Sequence, residues 1–191
     1  AAVPASTVVL VAFDGVEAID VAGPASVFSK AEQLRPGSYE VLIASPDGGT
    51  VSTNSGLQLG DTRSLDALPA AIDTLIVAGD NECRLPPRSL IERVRTSAAR
   101  SRRMASICTG AFVLAEAGLL DGRKATTHWL HARAFRERFP RVQMEEDRIF
   151  VIDGPVWTSA GMSAGLDLAL AVIEKDLGRK LALTIARKLV I

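Results

Sequence analysis

Short apolar runs alternate along this chain with segments in which apolar residues recur at helical spacing. Continuous apolar runs are typical of strands covered on both faces. They predict strands over residues 8–13, 39–45, 74–78 and 103–107. Helical spacing predicts helices over residues 24–34, 88–100, 109–119, 130–138, 166–177 and 180–191. Two further strands, 149–152 and 156–159, flank Asp153-Gly154-Pro155 and form the pattern of a β-hairpin.

Strands that alternate with helices predict an α/β fold. The expected architecture is a three-layer sandwich with a mainly parallel central sheet and helices on both faces. A length of 191 residues favours a single domain, residues 1–191. Two residues predict helix ends: Pro24, whose missing N–H costs nothing at a first helical position, and Gly178, a common residue just after a helix.

Composition narrows the classes of function. The chain carries 22 basic and 22 acidic side chains, and this balance argues against a free-standing nucleic-acid binder. Two cysteines make no disulfide framework, and no apolar run approaches the roughly 20 residues that span a bilayer, so we expect a cytoplasmic domain away from membranes. His and Cys lack metal-ligand spacing and no phosphate-binding glycine loop is present, so we expect neither metal nor cofactor.

Cys108 stands where a predicted strand meets a predicted helix, at the sheet edge where α/β proteins bind ligands. Residues 106–110 (SICTG) resemble the G-x-S-x-G nucleophile elbow, with Ser in place of the first Gly. The helix start predicts a thiol pKa lowered from about 8.5 to roughly 3.5–7.5. The amides of Thr109 and Gly110 would then bind an oxyanion or a ligand carboxylate. The alternative is a buried structural cysteine. Cys83, in a polar loop, is interpreted as an incidental thiol.

Longer motifs carry a family resemblance. Residues 107–129 (ICTGAFVLAEAGLLDGRKATTHW) and 153–178 (DGPVWTSAGMSAGLDLALAVIEKDLG) resemble the class I glutamine amidotransferase-like superfamily, in the branch of the protease PfpI and isonitrile hydratase. DVAGP at 20–24 and ARKLV at 186–190 narrow the resemblance to the amino-terminal sensor domain of AraC-type transcriptional regulators. The resemblance implies a flavodoxin-like fold, a homodimer and a following helix-turn-helix domain that binds DNA. The final helical segment has no stop signal, so we expect more protein to follow.

The same resemblance assigns site residues. It makes Cys108 the elbow cysteine, Asp20 the pocket carboxylate, His128 the pocket histidine and Gly79 the glycine of the oxyanion hole. Asp80 follows where the family has a second glycine, and its charge would compete with an oxyanion. Asp20 has a plainer alternative as a helix-capping residue ahead of Pro24.

Two departures from the family affect catalysis. Protease-like members carry His directly after the cysteine, where this chain has Thr109, and amidotransferases use a His on a late loop, where this chain reads TSAG at 158–161. His128 would replace that base only if its imidazole lay within roughly 2.6–3.2 Å of the thiol. Isonitrile hydratase, by contrast, resembles this chain at Asp20, Cys108 and Thr109.

Two functions therefore remain. The first is a sensing domain whose small-molecule effector binds around Cys108, Asp20 and His128 and acts through the DNA-binding domain. The second is an isonitrile-hydratase-like enzyme with Cys108 as nucleophile and Asp20 handling the proton; protease, amidase or deglycase chemistry is a lesser alternative. Neighbouring residues have simpler interpretations: Trp129 as a core or pocket aromatic, His131 as a surface helix residue, and Arg100, Arg102 and Arg103 as a solvated helix end.

Overall fold

The computed structural model describes residues 3–80, 82 and 84–191. The strands are β1 Ser6–Val11, β2 Tyr39–Ser45, β3 Gly49–Ser52, β4 Gln58–Ser64, β5 Ile72–Val77, β6 Ser101–Ile107, β7 Lys124–Ala125, β8 Gln143–Met144, β9 Phe150–Asp153 and β10 Val156–Ser159. The helices are α1 Ala18–Leu34, α2 Arg88–Ala98, α3 Gly110–Glu116, α4 Ala132–Arg138, α5 Ala164–Leu177 and α6 Arg179–Leu189. Short 3-10 turns occupy Leu65–Ala67 and Trp129–His131.

Eight strands form one sheet in the order β3-β4-β2-β1-β5-β6-β10-β9, and β7 and β8 form a separate two-stranded sheet. Six neighbouring strands of the large sheet, from β4 to β10, run parallel. The edge strands β3 and β9 are antiparallel to their neighbours. The predicted mainly parallel sheet is confirmed, and its carboxyl edge is the place where ligands are expected to bind.

Two apolar cores explain why the central strands are continuously hydrophobic. In β1, Val8 and Leu10 pack in one core, whereas Val9 and Val11 pack in the other. The first core lies under α1, α5 and α6, and the second lies under α2, α3 and α4. Because side chains alternate across a strand, both faces of β1 need apolar residues. The three-layer sandwich with helices on both faces is therefore confirmed.

Local predictions were less accurate at helix starts and sheet edges. Helix α1 begins at Ala18 and Pro24 lies inside it, so the prediction that Pro24 opens the helix was wrong. The Gly178 prediction is confirmed, since this glycine caps α5 with φ +98°. Strands β3 and β4 were missed because β3 forms a sheet edge, β4 lies next to it, and both expose most of their residues. Among residues 3–80, 82 and 84–191, no helix is long and apolar enough to span a membrane.

The amino-terminal ends of the strands hold a buried ion cluster. Arg103 lies in β6 with 4% of its side chain exposed, donates to Asp176 Oδ1 over 2.7 Å, and stacks 4.8 Å above the Trp157 ring. Tyr39 also donates to Asp176, over 2.8 Å. Burial alone would raise the pKa of Asp176, but the hydrogen bonds from Arg103 and Tyr39 outweigh burial and hold that pKa below its usual value.

The ion cluster overturns one interpretation of the sequence. Arg102 and Arg103 belong to a strand, not to a solvated helix end. Arg102 pairs with Asp73 and Asp176 at the surface, while Arg103 is buried. Sequence reasoning failed here because the partner carboxylates lie far from these arginines along the chain.

Candidate functional site

The elbow predicted at Cys108 is present. Strand β6 ends at Ile107, Cys108 has φ +55°, and α3 begins at Gly110. A positive φ is rare for a residue with a Cβ and marks a strained turn held by its surroundings. Two glycines provide the necessary space: a Cβ on Gly110 would lie 2.1 Å from the Val77 carbonyl oxygen, and one on Gly161 would lie 2.3 Å from Cys108 Cβ. The elbow is therefore wedged between β5 and the loop that follows β10.

The TSAG and ATTHW motifs meet at the backbone of the elbow. The Cys108 amide donates to the Ser159 carbonyl over 3.2 Å, and the Thr127 hydroxyl donates to the Cys108 carbonyl over 2.9 Å. The Thr126 amide donates to the Thr158 hydroxyl over 2.9 Å. These threonines position the turn, a role that neither motif indicated in the sequence. Within the described part of the chain, the buried hydroxyl of Ser159 has no hydrogen-bond partner.

Asp20 is a buried carboxyl group at the end of β5. It lies in the first turn of α1, whose N-cap is Glu17, so the capping alternative was wrong. Oδ2 accepts the Gly79 amide over 3.1 Å, and Oδ1 has no hydrogen bond of ordinary geometry among the described residues. Burial raises the pKa of Asp20 to about 7, although the amides of Gly79 and Met162 oppose the increase. The Gly79 amide therefore serves Asp20, which counts against its predicted role in an oxyanion hole.

Cys108 is not the activated thiol that the sequence suggested. Its side chain is fully buried in the first core. Burial, followed by the negative charge of Asp20, raises the pKa of the Cys108 thiol to about 12, while the Thr109 amide lowers it by less. The prediction of a lowered pKa was wrong because α3 spans only seven residues and its field does not compensate for the loss of water.

We expect Cys108 to react slowly with iodoacetamide at neutral pH, because the thiolate is the nucleophile and burial disfavours it. The labelling rate of the Cys108 peptide, followed by mass spectrometry from pH 7 to 10, should still be rising above about pH 8.5. Asp20→Asn should shift the profile to lower pH by removing the nearby negative charge. The same peptide in denatured protein provides the control, and a native midpoint below that of the denatured protein would contradict the assignment.

Asp20 should make the fold less stable as the pH rises. Its folded pKa of about 7 lies above the usual 3.8, so the folded state holds this proton more tightly. The stabilisation is complete below about pH 3.9 and is lost up to about pH 7, on the order of 1 kcal/mol per pH unit. Asp20→Asn, which keeps an acceptor for Gly79, should therefore gain thermal stability relative to the wild type from pH 5 to 7. Asp147→Asn, at an exposed position, is the control, and a constant difference across this range would refute the prediction.

Asp80 and Thr109 form a reciprocal pair. The Thr109 hydroxyl donates to Asp80 Oδ1 over 2.9 Å, and the Asp80 amide donates to the Thr109 hydroxyl oxygen over 2.9 Å. An ideal Cβ on Gly79 would lie 2.6 Å from the Thr109 amide nitrogen and 3.0 Å from that of Gly110. The backbone is packed closely at the predicted oxyanion position, with the Asp80 carboxylate beside it.

His128 lies at the start of an exposed aromatic turn. Its Nδ1 accepts the Leu130 amide over 3.3 Å, and its ring stacks on Trp129 with centroids 5.8 Å apart. Burial lowers the pKa of His128. Trp129 is 68% exposed, so the interpretation of this residue as a core aromatic was wrong. His131 is half-buried with its ring edge-on to Phe112, so it is less exposed than a surface residue.

A cavity of about 440 Å³ opens at the carboxyl edge of the sheet on the side of the second core. Phe13 and Phe112 provide aromatic surface, and Asp80 and Thr109 are the predicted site residues among its described lining. The charged side chains of that lining are Asp14, Asp47, Asp80, Glu82 and Arg84. Asp14 follows β1 in the way that Asp80 follows β5, so the rule that singled out Cys108 would also have found it.

Cys83, interpreted as an incidental thiol, lies outside the described residues. Across residues 3–80, 82 and 84–191, no group of three or more His, Cys, Asp or Glu side chains is arranged to hold a metal ion.

Comparison with known proteins identifies the family. The DJ-1/PfpI family model matches residues 6–175, so the chain belongs to the DJ-1/PfpI family. The strand–elbow–helix at Cys108 and the flavodoxin-like sheet are in keeping with this membership.

The relatives of this chain include transcriptional regulators and an enzyme. The HTH-type transcriptional regulator CdhR of Pseudomonas aeruginosa is 35% identical over 161 residues, which cover 84% of this chain and 48% of the regulator. The isonitrile hydratase of Pseudomonas putida is 32% identical over 166 residues, 80% of this chain and 70% of that enzyme. A crystal structure of an AraC family transcriptional regulator from Pseudomonas putida has the same fold, with a TM-score of 0.87, 24% identity and coverage of 96% of this chain and 99% of that one. The chain thus spans about half the length of the regulator CdhR.

Proposed function

We propose that this chain is the small-molecule-sensing domain of an AraC-type transcriptional regulator. The observation that carries the proposal is that the cavity and the reactive sulfur are in different places. The cavity borders Thr109 and Asp80, whereas the Cys108 sulfur is buried and its pKa is raised. A site that binds without activating a nucleophile suits a sensor. The similarity to CdhR over most of this chain supports the regulatory assignment.

In this proposal the effector occupies the cavity and the regulator binds DNA through a helix-turn-helix domain that follows in the whole protein. The protein acts in the cytoplasm as a homodimer. Four carboxylates and one arginine among the described charged residues of the lining produce a negative field, which favours a neutral or positively charged effector over an anion. Occupancy changes DNA affinity only if the effector binds the two regulatory states unequally.

The cavity assignment is tested by filling the space. Ser89, exposed on α2, lines the cavity, while its neighbour Arg88 is exposed and outside the described lining. Calorimetry with butylamine and butyrate as probes should detect binding of the amine in preference to the acid. Ser89→Trp should abolish this binding and Arg88→Trp should leave it unchanged. Amine binding that survives Ser89→Trp would place the site elsewhere.

The regulatory assignment needs the full-length protein. Effector-responsive transcription from the cognate promoter should be lost in full-length Ser89→Trp, while DNA affinity without effector remains. Arg88→Trp is again the control. Retention of the response in Ser89→Trp, or failure of the full-length protein to bind any promoter DNA, would refute the assignment.

A second candidate is an isonitrile hydratase. The chain resembles this enzyme at Asp20, Cys108 and Thr109. The negative charge of Asp20 also raises the pKa of the Cys108 thiol. The 32% identity to the Pseudomonas putida enzyme supports this alternative. Conversion of cyclohexyl isonitrile to the N-substituted formamide, lost in Cys108→Ala, would establish catalysis. An equal rate in buffer and in protein solution would remove this candidate.

A further inference from the structure

Helix α5 connects the two ends of the molecule. It follows directly on the loop that packs against Cys108, and its last turn carries Asp176 of the buried ion cluster. Fourteen residues at 1.5 Å each make the helix about 21 Å long. We propose that α5 is the mechanical link through which a displacement of the Cys108 elbow reaches α6. This inference rests on the proposed sensing function, for which it supplies the internal route.

At the elbow end, the loop before α5 and the start of α5 pack tightly against Cys108 and Ile107. Gly161 has φ +96° and lies so close to Cys108 that a Cβ would be 2.3 Å from Cys108 Cβ. Met162 follows with φ +54°, a strained value for a residue with a side chain. At Gly165, the second residue of the helix, an added Cβ would lie 3.2 Å from the Ile107 side chain, in the strand that leads into the elbow. A shift of the elbow therefore pushes directly on the start of α5.

At the far end, α5 is anchored to the sheet. Arg103 and Tyr39 hold Asp176 over 2.7 and 2.8 Å, and Arg102 adds a contact of 3.3 Å. This end can rotate about its anchor more readily than it can slide. A push at the elbow end is therefore expected to tilt the helix.

Helix α6 is placed to receive that tilt. Gly178 alone separates the two helices, with φ +98°. Ala182 and Ile185 bury one face of α6 in the first core, while Leu183 is exposed. Because α6 packs on both α5 and α1, a tilt of α5 changes the contact that holds the buried face of α6. Helix α6 is thus the element that moves in response to a displacement of the elbow.

The link is tested by placing a larger side chain between the start of α5 and the sheet. Gly165→Ala and Gly165→Val place groups of increasing size against Ile107. Hydrogen exchange of the α6 amides, corrected for global stability, should accelerate by about five-fold or more, the lower end of ordinary coupling between sites. Ala98→Val, an overpacking change in α2 on the opposite face of the sheet, is the matched control. Equal α6 exchange in the Gly165 variants and the control would overturn the proposal.

The anchored end gives a second measurement that remains informative if the Gly165 variants fold poorly. If α5 links the two ends, loosening its anchored end should also loosen its elbow end, so Asp176→Asn should accelerate alkylation of Cys108. Phe135→Leu, which loosens the second core, is the control at matched stability. An Asp176→Asn rate no higher than the control would refute the link. Neither measurement uses effector or DNA, so failure here leaves the sensing function intact, whereas failure of the cavity and promoter tests would not alter these results.

Discussion

Gly110→Ala is expected to cost about 3 kcal/mol of folding free energy or more, because overpacking here meets backbone and not a side chain. An added Cβ would lie 2.1 Å from the Val77 carbonyl oxygen and 2.9 Å from its carbon. Val77 ends β5, which is paired with β1 on one side and β6 on the other. Neither the strand nor the elbow can retreat without breaking sheet hydrogen bonds. The elbow glycine is therefore required by packing, whatever the site does.

Urea denaturation provides the measurement for Gly110→Ala. The midpoint should fall with little change in slope, since the amount of surface exposed on unfolding is unchanged. Gly60→Ala in β4 is the control, because an added Cβ there meets nothing within 4 Å and should shift stability by less than about 1 kcal/mol. A Gly110→Ala midpoint close to that of Gly60→Ala would show that the elbow and β5 can separate.

The sequence predicted the central strands well because burial on both faces produces a local signal. Val8 to Val11 must be apolar at every position, and no other element needs that pattern at that length. Strand β4 gave no such signal, since it lies near the sheet edge and exposes most of its residues. Pro24 misled because proline marks a helix start only on average, and α1 accommodates it in the interior.

The sequence predicted where the Cys108 elbow lies in the sheet, but it did not predict the pKa of the thiol. The rule that ligands bind beyond the carboxyl ends of strands placed Cys108 correctly at that edge, and the family resemblance pointed to Asp80, which follows β5 at the same edge. The state of the thiol depends on burial and on Asp20, 88 residues earlier in the sequence, and a local motif contains neither quantity. The prediction that Trp129 is a core aromatic was wrong for a related reason. Trp is buried on average, but tertiary packing decides whether a particular turn faces water.

Asp176→Asn is expected to destabilise the fold by about 3 kcal/mol, the lower end of the cost of removing one partner from a buried ion pair. The asparagine retains the size of the side chain and an acceptor for Tyr39, so the loss reports the buried charge that is left on Arg103. Glu137→Gln, in the exposed pair with Arg133, should cost about 0.5 kcal/mol or less. Equal losses in the two variants would contradict the assignment of a buried pair.

The pH dependence identifies the mechanism of the Asp176→Asn effect. The pKa of Asp176 is lowered in the folded state, so its contribution is complete above the ordinary carboxyl pKa of about 3.9 and is lost as the pH falls through the lower folded value. The stability difference between wild type and Asp176→Asn should therefore be constant from pH 5 to 8 and shrink in acid. Asp20 has the opposite sign, because its folded pKa is raised. Melting curves of both asparagine variants across pH 3.5 to 8 thus separate a carboxylate that the fold requires charged from a carboxyl that it prefers neutral.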